Sequence, residues 1–478
     1  MHPDWQFESV QGGGVLSHCP KLPVRKVVSR DGSESILIGV ALQTDASRPS
    51  PIEELNNPPA CVADLTDSWA GRWALIANGI LQTDAAGMLG CVYSDAGASQ
   101  PWVSSSTALL RTPRTQIFDD RVLQHGVGME WYIAPLTRYM GIRRLLPSQT
   151  LDLKTGRVIA KRLFRPAQLT CEQALEQVED TLVMAITELA KTSRSLWLPL
   201  TAGFDSRLLL AAVLRAGVKV RCYTQWYSDM SHADLTFPPK LAGLAGFEHV
   251  LIRPGRYDRR TEATFALHTS GQSSDRDKEF ICRGQWDEFE EGEVILRGGG
   301  IEIGCPRASR YRLSASSEKP WKVPPAEQIL AEYGQDISGP VAHALEEWRA
   351  WTEASEHPDI DWRDRFYIEQ RLGTWASSIE QALDLSPCTR VPLSSCGRYM
   401  SSMLQVPEHL RQDSAHEVEL IRRMAPALLA YPFNPKESFI RRIPRAIRRR
   451  SRSLFHVISP RQLGLTLIAG RRRRSLQI

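Results

Sequence analysis

Thr201-Ala202-Gly203-Phe204-Asp205-Ser206 puts two hydroxyls, a glycine and a carboxylate into six residues. The apolar run Leu196-Trp197-Leu198-Pro199-Leu200 precedes them, and Arg207-Leu208-Leu209-Leu210-Ala211-Ala212-Val213-Leu214 restarts as a good helix former. A strand, a tight loop of small residues and a helix N-terminus together hold phosphate. N–H groups of the first turn point outward, and the helix dipole adds partial positive charge. Residues Leu200, Thr201, Ala202, Gly203, Phe204, Asp205, Ser206 and Arg207 are therefore candidate contacts to a nucleotide, with the Thr201 and Ser206 hydroxyls donating to phosphate oxygens and Gly203 permitting close backbone approach. Asp205 alone would repel phosphate, so a carboxylate here implies a bridging Mg²⁺. No G-x-x-x-x-G-K-[ST] run is present, which excludes a Walker loop. The same residues also suit an ordinary strand-to-helix turn with Asp205 and Ser206 as caps.

A second turn of this kind, Arg297-Gly298-Gly299-Gly300-Ile301-Glu302-Ile303-Gly304, follows the strand-like Val294-Ile295-Leu296. Its glycines let the backbone turn sharply and approach a ligand, which makes Gly298, Gly299 and Gly300 candidate nucleotide contacts. A glycine turn with an exposed Glu302 is the plainer alternative.

These loops need a frame. Cys171 to about Ala190 carries Leu175, Val178, Leu182, Ile186 and Leu189 at helical spacing. Val218–Thr224 reads as a second strand, Leu235–Ala245 as a helix and His249–Ile252 as a third strand. Strands alternating with helices form an open parallel sheet whose ligand crevice lies at the carboxyl ends of the strands. Tyr223, near one such end, is a further candidate nucleotide contact. Residues 1 to about 165 instead show short strand-like runs, including 35–42, 72–77, 90–94 and 101–105, separated by turn residues, as in stacked antiparallel sheets. Residues from about Pro324 to Leu429 read as helical.

Composition narrows the class. With 478 residues and 42% hydrophobic content, the chain supports two or three domains with large cores. No apolar run reaches the length of a transmembrane helix, and Met1-His2-Pro3-Asp4-Trp5 lacks a signal-peptide layout. Nine scattered cysteines without a C-x-x-C pair read as reduced thiols, which places the protein in the cytoplasm. The net charge of +5 hides an asymmetry, since residues 438–478 hold 12 Arg and no Lys, Asp or Glu, leaving about −7 for the remainder. Such a tail either stays solvated, docks on the acidic body or an acidic partner, or lies on an anionic membrane surface. No stacking module accompanies the arginines, so nucleic acid is not expected.

The loop at 201–206 resembles the S-G-G-x-D-S pyrophosphate loop of asparagine-synthetase-like ATP pyrophosphatases, with Ala202 in place of the first glycine. Gly71-Arg72-Trp73-Ala74-Leu75-Ile76, Thr83-Asp84-Ala85-Ala86-Gly87 and Val103-Ser104-Ser105-Ser106 look like the ordered landmarks of the glutaminase-type domain of asparagine synthetases, and Gly141–Pro147 with Leu151-Asp152-Leu153 like the segment closing it. The resemblance implies an Ntn-hydrolase-like α+β domain over residues 1–165, an α/β PP-loop synthetase domain with a helical C-terminal part over 166–437, and the Arg-rich tail over 438–478. Glutaminases of this type use an N-terminal Cys as nucleophile and its own α-amine as base. Position 2 is His2 and the first cysteine is Cys19, so the expectation is that fold without that chemistry.

By the same resemblance the second turn is the family's G-D-G-x-D-E motif, with Glu302 at the acid that shares Mg²⁺ with Asp205 and Gly299 where some lactam-forming members carry a catalytic Tyr. Phe366–Trp375 with Glu380 resembles the family segment carrying an Arg (Arg371) and a downstream Glu, one residue further apart than usual, which nominates Glu380 as acceptor of a substrate proton. Val391-Pro392-Leu393 resembles the R-V-P-F element that follows. Lys240 or Lys436 would add positive charge at the phosphates. The implied activity is ATP-dependent adenylation of a carboxylate on a peptide or small molecule, release of pyrophosphate, and attack by an amine. Adenylation is required because a carboxylate is a poor electrophile at neutral pH. Beta-lactam synthetases and lasso-peptide cyclases share this architecture and close a ring with the substrate's own amine. The empty Tyr position favours a macrolactam cyclase working beside a protease or a precursor-binding protein. The alternatives are an amide ligase using ammonia or an external amine, and a degenerate nucleotide-binding partner protein.

Overall fold

The computed structural model of the protein describes residues 4–57, 65–94, 101–118, 131–165, 168–228, 230–270, 275–303, 305, 320–333, 339–355, 357 and 359–435. His2, Gly304, Lys436 and the Arg-rich tail lie outside them.

The first part of the chain supplies strands β1 (Gln6–Ser9), β2 (Val15–His18), β3 (Val24–Val28), β4 (Glu34–Gln43), β5 (Trp69–Ala77), β6 (Ile80–Thr83), β7 (Val92–Ser94), β8 (Val103–Ser104), β9 (Ile142–Arg144), β10 (Gln149–Asp152) and β11 (Val158–Ala160). Six form an antiparallel sheet in the order β11-β10-β6-β5-β4-β3, three form a second in the order β8-β7-β9, and β1 pairs with β2. Strand side chains alternate between faces, and both faces here are apolar. Ile36, Ile38, Ala74, Ile76, Leu81 and Leu151 meet Cys91, Tyr93 and Leu145 of the smaller sheet. Leu37, Trp69, Trp73 and Leu75 face the other way, against Leu55 of the helix Pro51–Asn56. The expected stacking of antiparallel sheets is therefore present. At Gly71 the backbone φ is +114°, and a Cβ would lie 2.3 Å from the Val40 carbonyl oxygen of the paired strand, so no side chain fits there.

The second part is a parallel sheet of β12 (Ser195–Pro199), β13 (Arg221–Gln225), β14 (His249–Ile252), β15 (Glu293–Arg297) and β16 (Thr389–Pro392), in the order β14-β13-β12-β15-β16. From β12 the chain builds outward through β13 and β14, then returns to place β15 on the other flank of β12. The order thus reverses between β12 and β15, and the loops leaving their carboxyl ends are side by side. These are the two loops singled out in the sequence. Helices Ala326–Glu332, Pro340–Ala354, Ser377–Leu383, Gly397–Gln405 and Ala415–Met424 bear out the helical reading of the C-terminal part. Strand β16 departs from it. Only four residues long, it is held by parallel pairing of Val391 with Leu296 and Pro392 with Arg297, and its proline is tolerated because the strand is at the sheet edge.

One core joins the two parts. The helix Cys171–Thr192 starts at a capping box made by Thr170 and Gln173 and buries Leu175, Val178, Leu182, Ala185, Ile186 and Leu189. These pack with Leu42 and Ala70 of the antiparallel sheet and with Leu196, Leu198 and Leu208–Val213 around the parallel one. Polar ties reinforce the join. Asp84, fully buried, accepts from the N–H groups of Met88 (2.8 Å) and Leu89 (3.0 Å) and from Ser395 Oγ (2.5 Å) beyond β16. The Arg72 guanidinium makes a two-pronged pair with Asp384 at 2.5 and 2.8 Å while its Nε donates to the Met88 carbonyl at 3.0 Å. Arg72 is 8% exposed and Asp384 42%, so solvent on the carboxylate side weakens the pair relative to a fully buried one. Arg72→Ala and Asp384→Ala should each destabilise the protein. In a double-mutant cycle measured by denaturant unfolding, the pair should show a coupling of about 1 kcal/mol or more. Simple additivity would show that the two charges do not stabilise one another.

Candidate functional site

Gly203 is the N-cap of the helix Phe204–Arg215, and no side chain caps it. Asp205 and Ser206 therefore do not serve as helix caps. Ser206 Oγ instead receives the Thr201 N–H at 3.1 Å and lies 2.9 Å from Thr201 Oγ1, while Thr201 Oγ1 also accepts from Gly203 N–H at 3.1 Å. Two hydroxyls are thus gathered at the mouth of the loop, in front of a helix N-terminus. The loop base is fixed from behind. Ala202 N–H donates to Asp234 Oδ1 at 2.9 Å, Leu200 N–H to the Tyr223 carbonyl at 2.8 Å, and Thr224 Oγ1 to the Leu200 carbonyl at 2.7 Å. The Leu200 and Ala202 side chains are buried, so these two residues meet a ligand only through their backbone. Gly203 itself has φ −78°, open to any residue, and a Cβ there would find Thr201 Oγ1 at 3.2 Å.

Arg207 differs from the expectation. Its side chain is fully buried and points away from the loop mouth, donating to the carbonyls of Tyr431 (2.6 Å), Pro432 (3.1 Å), Leu428 (3.3 Å) and Ala202 (3.3 Å). The guanidinium stacks 3.9 Å from the Phe433 ring, which in turn stacks on Phe204 at 4.1 Å. Asn434 N–H donates to the Ala202 carbonyl at 3.1 Å. Arg207 is therefore a clamp that lays residues 428–434 along the loop, and burial lowers its pKa to about 10. Nothing local in the sequence announces this, because three of its four acceptors are backbone carbonyls more than 200 residues away.

The second loop packs directly on the first. A Cβ built on Gly298 would sit 3.8 Å from Asp205 Cβ. Gly298 and Gly299 would accept a methyl at ordinary contact distance. Gly300 would not, with φ +90° and a Cβ 2.8 Å from Ser394 Oγ. Ser394 donates to the Gly299 carbonyl at 2.7 Å, and Tyr399 OH to the Ile301 carbonyl at 3.0 Å. Glu302, partly exposed, accepts from Tyr367 OH at 2.5 Å. Tyr399 is fully buried beside the second loop. Burial pushes its phenol well above the usual range, and the carboxylates of Glu417, Asp205 and Glu302 push it further. Two carboxylates set among hydroxyls and N–H donors match how Mg²⁺ is held beside phosphates, by one or two protein oxygens with the rest from phosphate and water.

Glu380 also differs from the expectation. It has no exposure, and its carboxylate is bracketed by Arg297 Nε at 2.6 Å and Arg390 Nε at 2.8 Å. Burial alone would raise its pKa, but Arg297 and Arg390 outweigh burial and hold it well below the carboxylate range. A carboxylate so held has little affinity for a proton. Its place here is to fix Arg297, 27% exposed at the end of β15 and 3.7 Å from a Cβ built on Gly299. Tyr223 is likewise no open contact. Its ring is buried with Trp197 and Phe289, centroids 6.1 and 5.0 Å away, on the sheet face opposite Leu198. Lys240 is exposed, with its ammonium 5.6 Å from the Tyr431 ring. Arg371 stacks on Trp375 at 4.3 Å. It belongs to the stretch Tyr367–Ala376, which is wound as a π-helix. The eight cysteines among the described residues form no disulfide. No helix among those residues is long and apolar enough to cross a membrane.

No protein-family model matches the chain, and no curated protein matches it. Among solved structures, a glutamine-dependent NAD+ synthetase from Acinetobacter baumannii in complex with ADP is similar over 33% of this chain and 30% of that chain, at 18% identity and a TM-score of 0.20. NMN synthetase from Francisella tularensis is similar over 40% of this chain and 97% of that one, at 11% identity and a TM-score of 0.21. At such scores the likeness is slight and transfers no chemistry.

Gly300→Ala forces a methyl onto Ser394 and a strained φ, and should unfold the second loop locally. Hydrogen exchange of residues 298–303 should rise while β1–β11 stay protected, and unchanged exchange would show that the turn tolerates a side chain. Glu380→Gln leaves the buried Arg390 guanidinium and the half-buried Arg297 without their carboxylate and should cost about 3 kcal/mol. Because the folded pKa lies below the ordinary 4.5, the stability Glu380 contributes is present above that pH and is lost as pH falls toward the depressed value. The variant's stability should therefore fall less steeply than the parent's from about pH 5 downward. Parallel curves would contradict the depressed pKa.

Proposed function

We propose that the two loops bind Mg-ATP and that the protein is an ATP-dependent, AMP-forming ligase of the asparagine-synthetase-like type, joining a carboxylate to an amine. The supporting observation is the pairing at the sheet's reversal point of an uncapped helix N-terminus and hydroxyl-lined loop with a second loop that packs on Asp205 through Gly298 and carries Glu302. The stacked antiparallel sheets are read as the Ntn-hydrolase-like module of that family, serving here as a scaffold for the synthetase part.

Each chain residue has a role in this reading. The N–H groups of the first helical turn and the Thr201 and Ser206 hydroxyls receive the phosphates. Asp205 and Glu302 hold Mg²⁺, which when bound neutralises charge on the departing pyrophosphate. Arg297, held by Glu380, presents a fixed cation where negative charge develops as the substrate carboxylate attacks the α-phosphorus. Tyr367 holds the Glu302 carboxylate in place through its hydroxyl. The attacking amine is proposed to belong to the substrate peptide itself, giving a macrolactam. This follows the resemblance to the asparagine-synthetase-like family, His2 in place of the glutaminase nucleophile, an arrangement that lasso-peptide cyclases share, and Gly299 at the position of the beta-lactam enzymes' tyrosine.

Exchange of radiolabelled pyrophosphate into ATP, measured with a panel of carboxylic acids and peptides, tests the assignment. Asp205→Ala and Glu302→Ala should each reduce exchange by about 100-fold or more. Exchange undiminished in both would remove the loops from the nucleotide site. A product whose mass is the peptide less one water supports ring closure. A product containing a second amine instead replaces ring closure by intermolecular ligation.

A further inference from the structure

We propose that Cys305, His416 and Glu417 form a binding site for a structural zinc ion, independent of the nucleotide reading above. One donor atom from each of the three side chains lies within 4.8 Å of the others, and the residues are 2%, 1% and 0% exposed. They come from two elements. Cys305 ends the turn after β15, where its N–H donates to the Glu302 carbonyl at 2.9 Å. His416 and Glu417 lie in the first turn of the helix Ala415–Met424.

The geometry is that of metal ligation. Cys305 Sγ and His416 Nε2 are 3.6 Å apart. Tetrahedral zinc bonds of about 2.3 Å to sulfur and 2.0–2.1 Å to nitrogen separate those two atoms by about 3.6 Å. The other ring nitrogen, Nδ1, is 3.2 Å from the Leu410 carbonyl. Donation there fixes the tautomer and turns the Nε2 lone pair toward the sulfur, the outer-shell arrangement that metal-bound histidines use. Thiolate, imidazole and carboxylate together are a zinc donor set rather than a Mg²⁺ or Ca²⁺ set. A thiolate and a carboxylate also balance a divalent cation, so the loaded site carries no net charge into the interior, with the fourth tetrahedral position open to a water.

The ion would staple the Glu302 loop to a helix that shares the core of the helix Phe204–Arg215 through Leu420 and Ile421. Both phosphate-side loops would then be set by one metal. The test uses the whole protein. Protein purified from zinc-supplemented medium should carry about one equivalent of zinc by elemental analysis. Replacement by Co²⁺ should give a thiolate-to-cobalt charge-transfer band. Cys305→Ser should abolish the band, His416→Ala should weaken cobalt binding by at least about 100-fold, and Cys171→Ser should leave both unchanged. Chelation of the zinc should lower the melting temperature of the parent and not of Cys305→Ser. If the folded parent takes up neither zinc nor cobalt, the contact is a plain thiol–imidazole hydrogen bond and the proposal fails. A band that survives Cys305→Ser also overturns it. Should Cys305→Ser not fold, the parent's metal content and Glu417→Gln decide the matter.

Discussion

A single carboxylate that never meets water, Glu380, ties together the elements on which the site rests. Its oxygens accept from Arg297 at the end of β15 and from Arg390 within β16, and Arg72 of β5 adds to the positive field around it. Desolvating this carboxylate and the Arg390 guanidinium is expensive, and only close pairing returns the cost. That pairing is possible in one arrangement, in which the edge strand lies in register with β15 and the helix Ser377–Leu383 presents its acid underneath. The charges therefore specify geometry more than they add stability. Arg390 also lies 4.7 Å from the Trp286 ring, so the same guanidinium joins the ion cluster to the aromatic core beneath the sheet.

The antiparallel part is not a separate body. Asp84 folds its own turn and reaches Ser395, and Gln370 exchanges hydrogen bonds with the backbone of Ala134 at 2.8 and 3.0 Å. Ser106 Oγ donates to the His268 carbonyl. Several of these residues stand in the landmark segments of the first part, Arg72, Asp84 and Ser106 among them. What those segments do in this chain is hold the parallel-sheet part in position.

The sequence reveals much of the frame and less of what fixes the two loops. Strand β12, its loop and the helix after it are legible because short-range signals agree: an apolar run, small residues, then strong helix formers. The helix Cys171–Thr192 is legible from its period. The edge strand β16 is hidden, since four residues between helices carry no alternation and its pairing partner is almost 100 residues away. Glu380 reads as a free acid because the arginines that neutralise it are distant in sequence or lie on another strand. Arg207 reads as a phosphate contact for the same reason, since three of its four acceptors belong to residues 428–432. The packing of the second loop against Asp205 arises only through the sheet order, which no local pattern contains. In each case the missing information is a tertiary contact that overrides a local preference.

The π-wound stretch Tyr367–Ala376 has a bearing on how this site tolerates change. At one end Tyr367 holds Glu302, and just past the other Glu380 holds Arg297. The wider winding sets the rotational phase between those two side chains. Rewinding these same 10 residues as ordinary α-helix, which turns about 100° per residue, would over-rotate everything beyond and turn Glu380 away from both arginines. Substitutions along the stretch disturb single contacts, whereas a change of winding disconnects the two loops' supports at once. The segment is thus a phase-setting spacer, and winding rather than composition is the property that variation here cannot alter.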